Sequence, residues 1–196
     1  MRTFRICLQA TLVTLVLTGI AYPLVMTGLA GLLFPQQARG SLVADAKGKV
    51  VGSELIGQAF ANPAYFQGRP SAAGSGYDAT ASSGSNLGPT SAKLRDRVKQ
   101  DVERLQKENP EAPGPIPAEL VTASASGLDP HLSPGAAQWQ VPRVAKARGV
   151  SPERVLAVLY DFTQGRQLGI FGEPRVNVLE VNLALDRQFG EAAARR

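Results

Sequence analysis

The chain has 196 residues, 44% of them hydrophobic, a formal net charge of +5 and a single cysteine. That length suits one ordinary domain plus a small appendage, and one cysteine excludes an intramolecular disulfide or a cysteine-based metal site. The basic excess is mild, and the basic residues from Lys93 to Lys107 alternate with acids and lack interleaved aromatics, which marks a solvated helix face and gives no case for nucleic acid.

From Ile6 through Ala38 no residue is charged, and Arg2, Arg5 and Arg39 bracket the run. A bilayer core about 30 Å thick needs roughly 20 helical residues, and the stretch from Cys7 to Phe34 exceeds that. The pattern predicts a transmembrane anchor over residues 1–38 and a polar domain over 39–196. A cleaved signal peptide is the competing reading, with Gly28-Leu29-Ala30 as the small-residue site. The apolar run continues through Leu32, Leu33 and Phe34, longer than an h-region of about 7–15 residues, which favours a retained helix.

Ala10, Thr14 and Thr18 recur every four residues and put small side chains on one face, where helices in lipid approach closely. Threonine merely tolerated there is the plainer reading. Pro23 removes a backbone donor and crowds the preceding turn, so a kink is expected. Arg2, Arg5 and the terminal amine oppose Arg39, Lys47 and Lys49, so flanking charge does not decide orientation. A long C-terminal domain translocates largely regardless of it, and the polar domain is expected outside the cytoplasm.

Ser41 to Val51 reads as a short hairpin turning near Lys47-Gly48. Ser53 is a candidate cap for a helix from Glu54 to Phe60, with Leu55, Ile56 and Phe60 on its apolar face and Asn62-Pro63 as its stop. Phe66 to Pro89 is rich in Gly, Ser, Ala and Pro with little periodicity, and so long a loop in a compact domain is usually functional or disordered. Ser91 to Glu108 is the clearest amphipathic helix, with Leu94, Val98, Val102 and Leu105 in one stripe. Pro113, Pro115 and Pro117 stiffen the spacer that follows, and Glu119 to Ala125 is ambiguous.

Ser133-Pro134 opens a helix expected to run to Arg148, bent by Pro142 and stopped by Gly149. Ser151-Pro152-Glu153 opens another, with Val155, Val158, Leu159 and Phe162 buried. Gly165, Gly169 and Gly172 mark turns, and Val176 to Leu185 fits a strand or a last helix. The whole is an α+β chain, one transmembrane helix followed by a single helix-rich mixed domain.

No catalytic motif emerges. Gly48-Lys49 lacks the first glycine of a phosphate loop, and Gly74-Ser75-Gly76 lacks the third glycine of a dinucleotide fingerprint. Ser83-Gly84-Ser85 lacks the first glycine and the partners of a nucleophile elbow. His131 alone makes no zinc site, and beside Pro130 it reads as a partly exposed turn residue. The catalytic and metal sets are therefore empty.

Several blocks occur together in order. Phe34-Pro35 and Gly40-Ser41-Leu42 follow the anchor, then Gly52 to Gln58 and Tyr65-Phe66-Gln67-Gly68-Arg69-Pro70-Ser71. Ser82 to Pro89, Val121 to Pro130, Gln140 to Ala145 and Val176 to Asp186 complete the set. In this order and spacing the chain resembles the C subunit (KdpC) of the Kdp potassium-transporting P-type ATPase, from the anchor to Asp186. The resemblance implies an accessory subunit of a high-affinity potassium uptake pump in the cell inner membrane. The phosphorylated Asp-Lys-Thr-Gly-Thr of the catalytic subunit is absent here.

Implied partners are a channel-like K+-binding subunit and the P-type catalytic subunit, with lipid around the anchor. Implied cofactors are ATP and K+ at the level of the complex. The family is described as stabilising the complex and, in one proposal, as a catalytic chaperone that raises ATP affinity. A domain outside the cytoplasm cannot touch cytoplasmic ATP and would instead cap the potassium entrance. The reading from another class is a tethered or secreted extracytoplasmic binding protein with a cleaved signal.

On this basis Arg69, Ser83, Ser85 and Asn86 are candidates for partner contact, against tight turns in which Asn86 caps its own backbone. Ser124, Ser126 and Asp129 are candidates for anion or nucleotide contact, against a simple capping role for Asp129. Gln140 and Arg143 flank Pro142 and are candidates for partner or nucleotide contact, against an internally paired or solvated Arg143.

Overall fold

The computed structural model describes residues 1–45 and 47–192. The backbone clusters into two compact units, Met1–Leu42 and Val43–Arg196.

The first unit is a long helix followed by a short one. Helix α1 (Arg2–Val16) passes through a π-helical turn (Leu17–Ala21) into α2 (Tyr22–Leu33) and then α3 (Pro35–Ala38). Arg2–Leu33 forms one candidate membrane span of 32 residues, with none of it buried in the protein. The π turn ends at Ala21, two residues before Pro23, and the Tyr22 N–H bonds back to the Leu17 carbonyl. Proline cannot donate and its ring crowds the turn before it; a wider turn accommodates both effects. Ala10, Thr14 and Thr18 are exposed. The Thr14 hydroxyl donates to the Ala10 carbonyl at 2.8 Å and Thr18 to the Thr14 carbonyl at 2.7 Å, so each hydroxyl is satisfied within its own helix.

A two-stranded sheet follows, of β1 (Leu42–Ala44) and β2 (Val50–Ser53). Asp45 organises the turn: its Oδ1 accepts the N–H groups of Lys47 and Lys49 at 2.8 and 2.9 Å. The helix expected from Glu54 to Phe60 does not form. Ser53 Oγ accepts the Leu55 N–H in a local turn, and Leu55 and Ile56 stay exposed. The backbone there is used for long-range bonds instead, with the Gly57 N–H donating to the Leu128 carbonyl at 2.8 Å.

Residues 54–91 contain no helix or strand. Helix α4 (Ala92–Glu108) then starts at Ser91, whose Oγ accepts the Leu94 N–H. It buries Leu105 and half-buries Val98 and Val102 against the core. A 3-10 turn at Ala118–Leu120 carries Glu119, whose carboxylate accepts both the N–H and the hydroxyl of Ser133.

The core lies among α5 (Pro134–Arg148), α6 (Pro152–Asp161), α7 (Val178–Phe189) and a three-stranded antiparallel sheet. That sheet has the order β3 (His131–Leu132), β5 (Arg175–Asn177), β4 (Thr163–Gln164), in the register Leu132↔Val176↔Thr163. Helix α5 closes as a Schellman motif: Gly149 has φ 65°, its N–H bonds to Lys146 and the Val150 N–H bonds to Ala145. The segment Val176–Leu185 is both things its pattern allowed, because Asn177 ends β5 and its Oδ1 caps α7 through the N–H groups of Leu179 and Glu180. Phe66, Leu132, Val144, Val155, Leu159, Val176, Val181 and Leu185 are almost wholly removed from water, each worth about 1.5–3 kcal/mol of transfer free energy.

Candidate functional site

The glycine- and serine-rich segments converge into one interlocked layer of loops. Ser71 sits at its centre. Its Oγ donates to the Gly127 carbonyl at 2.5 Å and accepts the N–H groups of Ala73 and Tyr77. Ser82 Oγ donates to the Ser126 carbonyl and Ser83 Oγ to the Ala72 carbonyl, each at 3.0 Å. The Tyr77 hydroxyl donates to the Arg69 carbonyl at 2.5 Å. Small residues are required because the backbones touch: a Cβ on Gly127 would lie 2.6 Å from Ala73 N and Ser83 O, and one on Gly84 2.9 Å from Ala125 O.

Arg69 and Asp129 tie this layer together. Arg69 Nη1 pairs with Asp129 Oδ2 at 3.2 Å while its Nε donates to the Thr122 carbonyl. Asp129 Oδ1 accepts the His131 N–H at 3.0 Å, so the carboxylate serves as both counter-ion and local cap. Burial first, and then the Asp129 charge, push the Tyr77 phenol above its ordinary pKa.

Beside the layer a groove of about 430 Å³ is lined by Phe60, Arg69, Tyr77, Asp101, Arg104, Glu108 and Gln140 among others. Both guanidiniums on its wall are already engaged, Arg69 with Asp129 and Arg104 with Asp101 and Glu108. A phosphate group entering it would have to compete with those carboxylates. The groove offers hydrogen bonding and shape rather than a nucleophile or an activated base. Among the described residues no cluster of three or more His, Cys, Asp or Glu is placed to hold a metal ion.

The remaining candidates separate in space. Asn86 is exposed and left-handed at φ 50°, a conformation its side chain tolerates. Ser85 lines a different hollow, with Lys93 and Arg97 of α4. Ser126 Oγ accepts the Leu128 N–H at 3.1 Å, and Ser124 is buried with its carbonyl on the Gly127 N–H. Gln140 and Arg143 lie in the interior, 1% and 6% exposed. Gln140 holds Gln67 through its N–H at 2.9 Å and its carbonyl at 3.0 Å. Arg143 donates to the carbonyls of Pro63 and Tyr65 and to Gln140 Oε1, and burial lowers its pKa to about 10, so it stays charged at neutral pH. Both act as internal clamps on residues 63–67.

A second clamp escaped the sequence reading. Arg148 Nη2 pairs with Asp186 Oδ1 at 2.8 Å with only 3% of its side chain exposed, and its guanidinium lies 4.9 Å from the centre of the Tyr65 ring. The Tyr65 hydroxyl donates to the other oxygen of Asp186 at 2.8 Å. Asn182, one turn before Asp186, bonds Phe66. Asn182 and Asp186, four apart and flanked by the apolar Val181, Leu183, Ala184 and Leu185, were the available signal.

The family model described as "KdpC: K+-transporting ATPase, c chain" matches residues 4–187. A potassium-transporting ATPase KdpC subunit of Myxococcus xanthus is 64% identical over 188 residues, covering 96% of this chain and 89% of its own. Those of Rhodospirillum rubrum and Bradyrhizobium diazoefficiens are 56% and 54% identical, covering 96% and 95% of this chain and 97% and 98% of theirs. The match runs from the candidate span through the clamped loop layer to Asp186. The chain belongs to the KdpC family and is a membrane-associated subunit of a potassium-transporting ATPase, not a catalytic enzyme by itself.

Proposed function

We propose that this subunit is a single-pass accessory component of a high-affinity, ATP-driven potassium uptake pump in the cell inner membrane. Its polar domain lies outside the cytoplasm and assembles with a channel-like K+-binding subunit and a P-type catalytic subunit. There it stabilises the complex and caps the potassium entrance. ATP and K+ act at the level of the complex; on this topology a direct rise in ATP affinity through contact with the nucleotide is not part of its role.

One observation carries this reading. The candidate span Arg2–Leu33 lies at the amino end, and the long polar remainder of the chain follows it, a geometry in which the C-terminal domain is translocated largely regardless of flanking charge. The loop layer supports a structural role, since the hydroxyls of Ser71, Ser82 and Ser83 are spent on its own backbone and both groove guanidiniums are paired.

The test is labelling with a membrane-impermeant thiol reagent. In a Cys7→Ser background, Ser75→Cys places one thiol on an exposed loop. Labelling in intact inner-membrane-accessible cells supports the outward domain. Labelling only after lysis reverses the orientation and restores direct ATP contact as a possibility.

A further inference from the structure

Between helix α4 and the loop layer lies a hollow of about 770 Å³. Lys93, Asp96, Arg97 and Gln100 line it from the helix, at the spacing of one helical face. Gly84, Ser85 and Leu87 line it from the loop. Its charge is not balanced from within. The carboxylate on its wall, Asp96, is held by Arg95 at 3.2 Å. Among the described residues the side chains of Lys93 and Arg97 have neither a hydrogen bond nor an ion pair, and Arg97 Nε is shut off from water with no acceptor. Arg69, Arg104 and Lys146, by contrast, each hold a carboxylate of this chain. A single solvated cation is ordinary, but two uncompensated ones a turn apart in a hollow draw negative charge into it.

The loop wall is unspent as well. Among the described residues, the N–H groups of Gly84, Ser85, Asn86 and Leu87 donate to no acceptor, and the Ser85 hydroxyl makes no hydrogen bond. Together the donors form a row. From Lys93 to Gln100 the helix rises about 10 Å, the length of about three extended residues. A single oxyanion such as phosphate is held instead by donors that converge on one point. Residues four apart on a helix have Cβ atoms about 5–6 Å apart, and side chains two apart on one face of an extended chain are about 6.5 Å apart. Two carboxylates at that spacing would meet Lys93 and Arg97, while the carbonyls of the same segment would meet the loop N–H groups, as in recognition of extended peptides.

We propose that this hollow binds an extended acidic segment of another subunit of the pump, with carboxylates two residues apart. A second copy of this chain does not supply one. Its only acidic residues two positions apart are Asp101 and Glu103, and both lie inside α4. The proposal rests on membership of the pump, not on the topology proposed above.

The experiment uses the complete pump in detergent. A water-soluble carbodiimide joins an amine to a carboxylate only where the two are in contact, and the linked peptides are identified by mass. Lys146 and Glu111, 2.7 Å apart, give a link that reports both the chemistry and the folded domain. Lys93 is expected to be joined to an aspartate or glutamate of another subunit that has a second acidic residue two positions away. Arg97→Glu is expected to lower that link at least about tenfold, and Arg97→Gln to lower it less. Lys99→Glu, on α4 but outside the hollow, is expected to leave it unchanged, with the Lys146–Glu111 link intact in all three. Absence of a link at Lys93, a link only within this chain or to a second copy, or a link insensitive to both Arg97 variants would each overturn the proposal. The link forms whichever side of the membrane the domain occupies, so its failure is separable from failure of the thiol-labelling experiment.

Discussion

Asn182 grips Phe66 with both arms of its amide: Oδ1 accepts the Phe66 N–H at 2.8 Å and Nδ2 donates to the Phe66 carbonyl at 2.9 Å. Gln140 does the same for the next residue, Gln67. Successive backbone groups of an extended chain point to opposite sides, so α7 and α5 each act as a neighbouring strand would. Two side-chain amides thus replace a sheet ladder and hold an irregular segment in the interior. Backbone groups buried without partners are costly, which explains why this loop is compatible with a packed core.

Asn182→Leu keeps the branched shape and number of side-chain heavy atoms and removes both partners of Phe66. Each stranded group costs about 1–3 kcal/mol, so the variant is expected to lose about 2–6 kcal/mol. Denaturant unfolding of the full chain in detergent measures this. A loss below about 0.5 kcal/mol would mean that the amide contributes little beyond filling space.

Much of the fold was legible because it rests on local signals. Ser133-Pro134 and Gly149 delimit α5 to the residue, Ser91 opens α4, and Val155, Val158 and Leu159 are buried as their spacing required. The Glu54–Phe60 helix failed because its backbone is committed to Leu128, a partner distant in the chain that no periodicity reveals. The candidate site was legible as composition but not as geometry. Polarity and glycine content pointed to residues 66–89 and 124–129, yet the hydroxyls of Ser71, Ser82 and Ser83 are spent on backbone carbonyls of these same segments. Gln140 and Arg143 read as candidates for partner or nucleotide contact, with internal pairing as the other reading of Arg143, and the three-dimensional placement of residues 63–67 turns both inward. Leu168, Ile170 and Phe171 are exposed in a region read as turns, and a turn carries no periodicity to distinguish an exposed leucine from a buried one.

Gly127 and Gly149 share a left-handed backbone, at φ 68° and 65°, but not their surroundings. A Cβ at Gly149 meets nothing within 4 Å, whereas one at Gly127 meets two backbone atoms at 2.6 Å. Gly149→Ala is expected to cost about 1 kcal/mol, the conformational penalty alone. Gly127→Ala adds displacement of the Ala73 and Ser83 backbones and is expected to cost at least about 3 kcal/mol. Thermal melts of the two variants side by side make the comparison. Equal shifts would show that the loop layer yields, and that its close packing is not what requires glycine.

His131 gives the domain a pH dependence with a definite sign. Burial lowers its pKa below the ordinary 6.5, the Arg175 charge lowers it further, and Asp129, whose Oδ1 is 3.8 Å from Nδ1, opposes both. Between the folded value and 6.5 the unfolded chain binds more protons than the folded one, so stability falls as pH drops through that window and is unaffected above it. Glu180 titrates with the opposite sign, because burial and then Glu54 push its carboxyl up. The informative comparison is therefore the wild-type chain against His131→Gln, in which Glu180 is common to both. From about pH 7.5 to 5.5 the wild-type unfolding midpoint should decline relative to the variant, whose histidine contribution is gone. Parallel profiles would mean that His131 takes up its proton equally well in the folded chain. The two arms of the prediction are then separable by nuclear magnetic resonance titration of the lone imidazole, which should show a midpoint below 6.5.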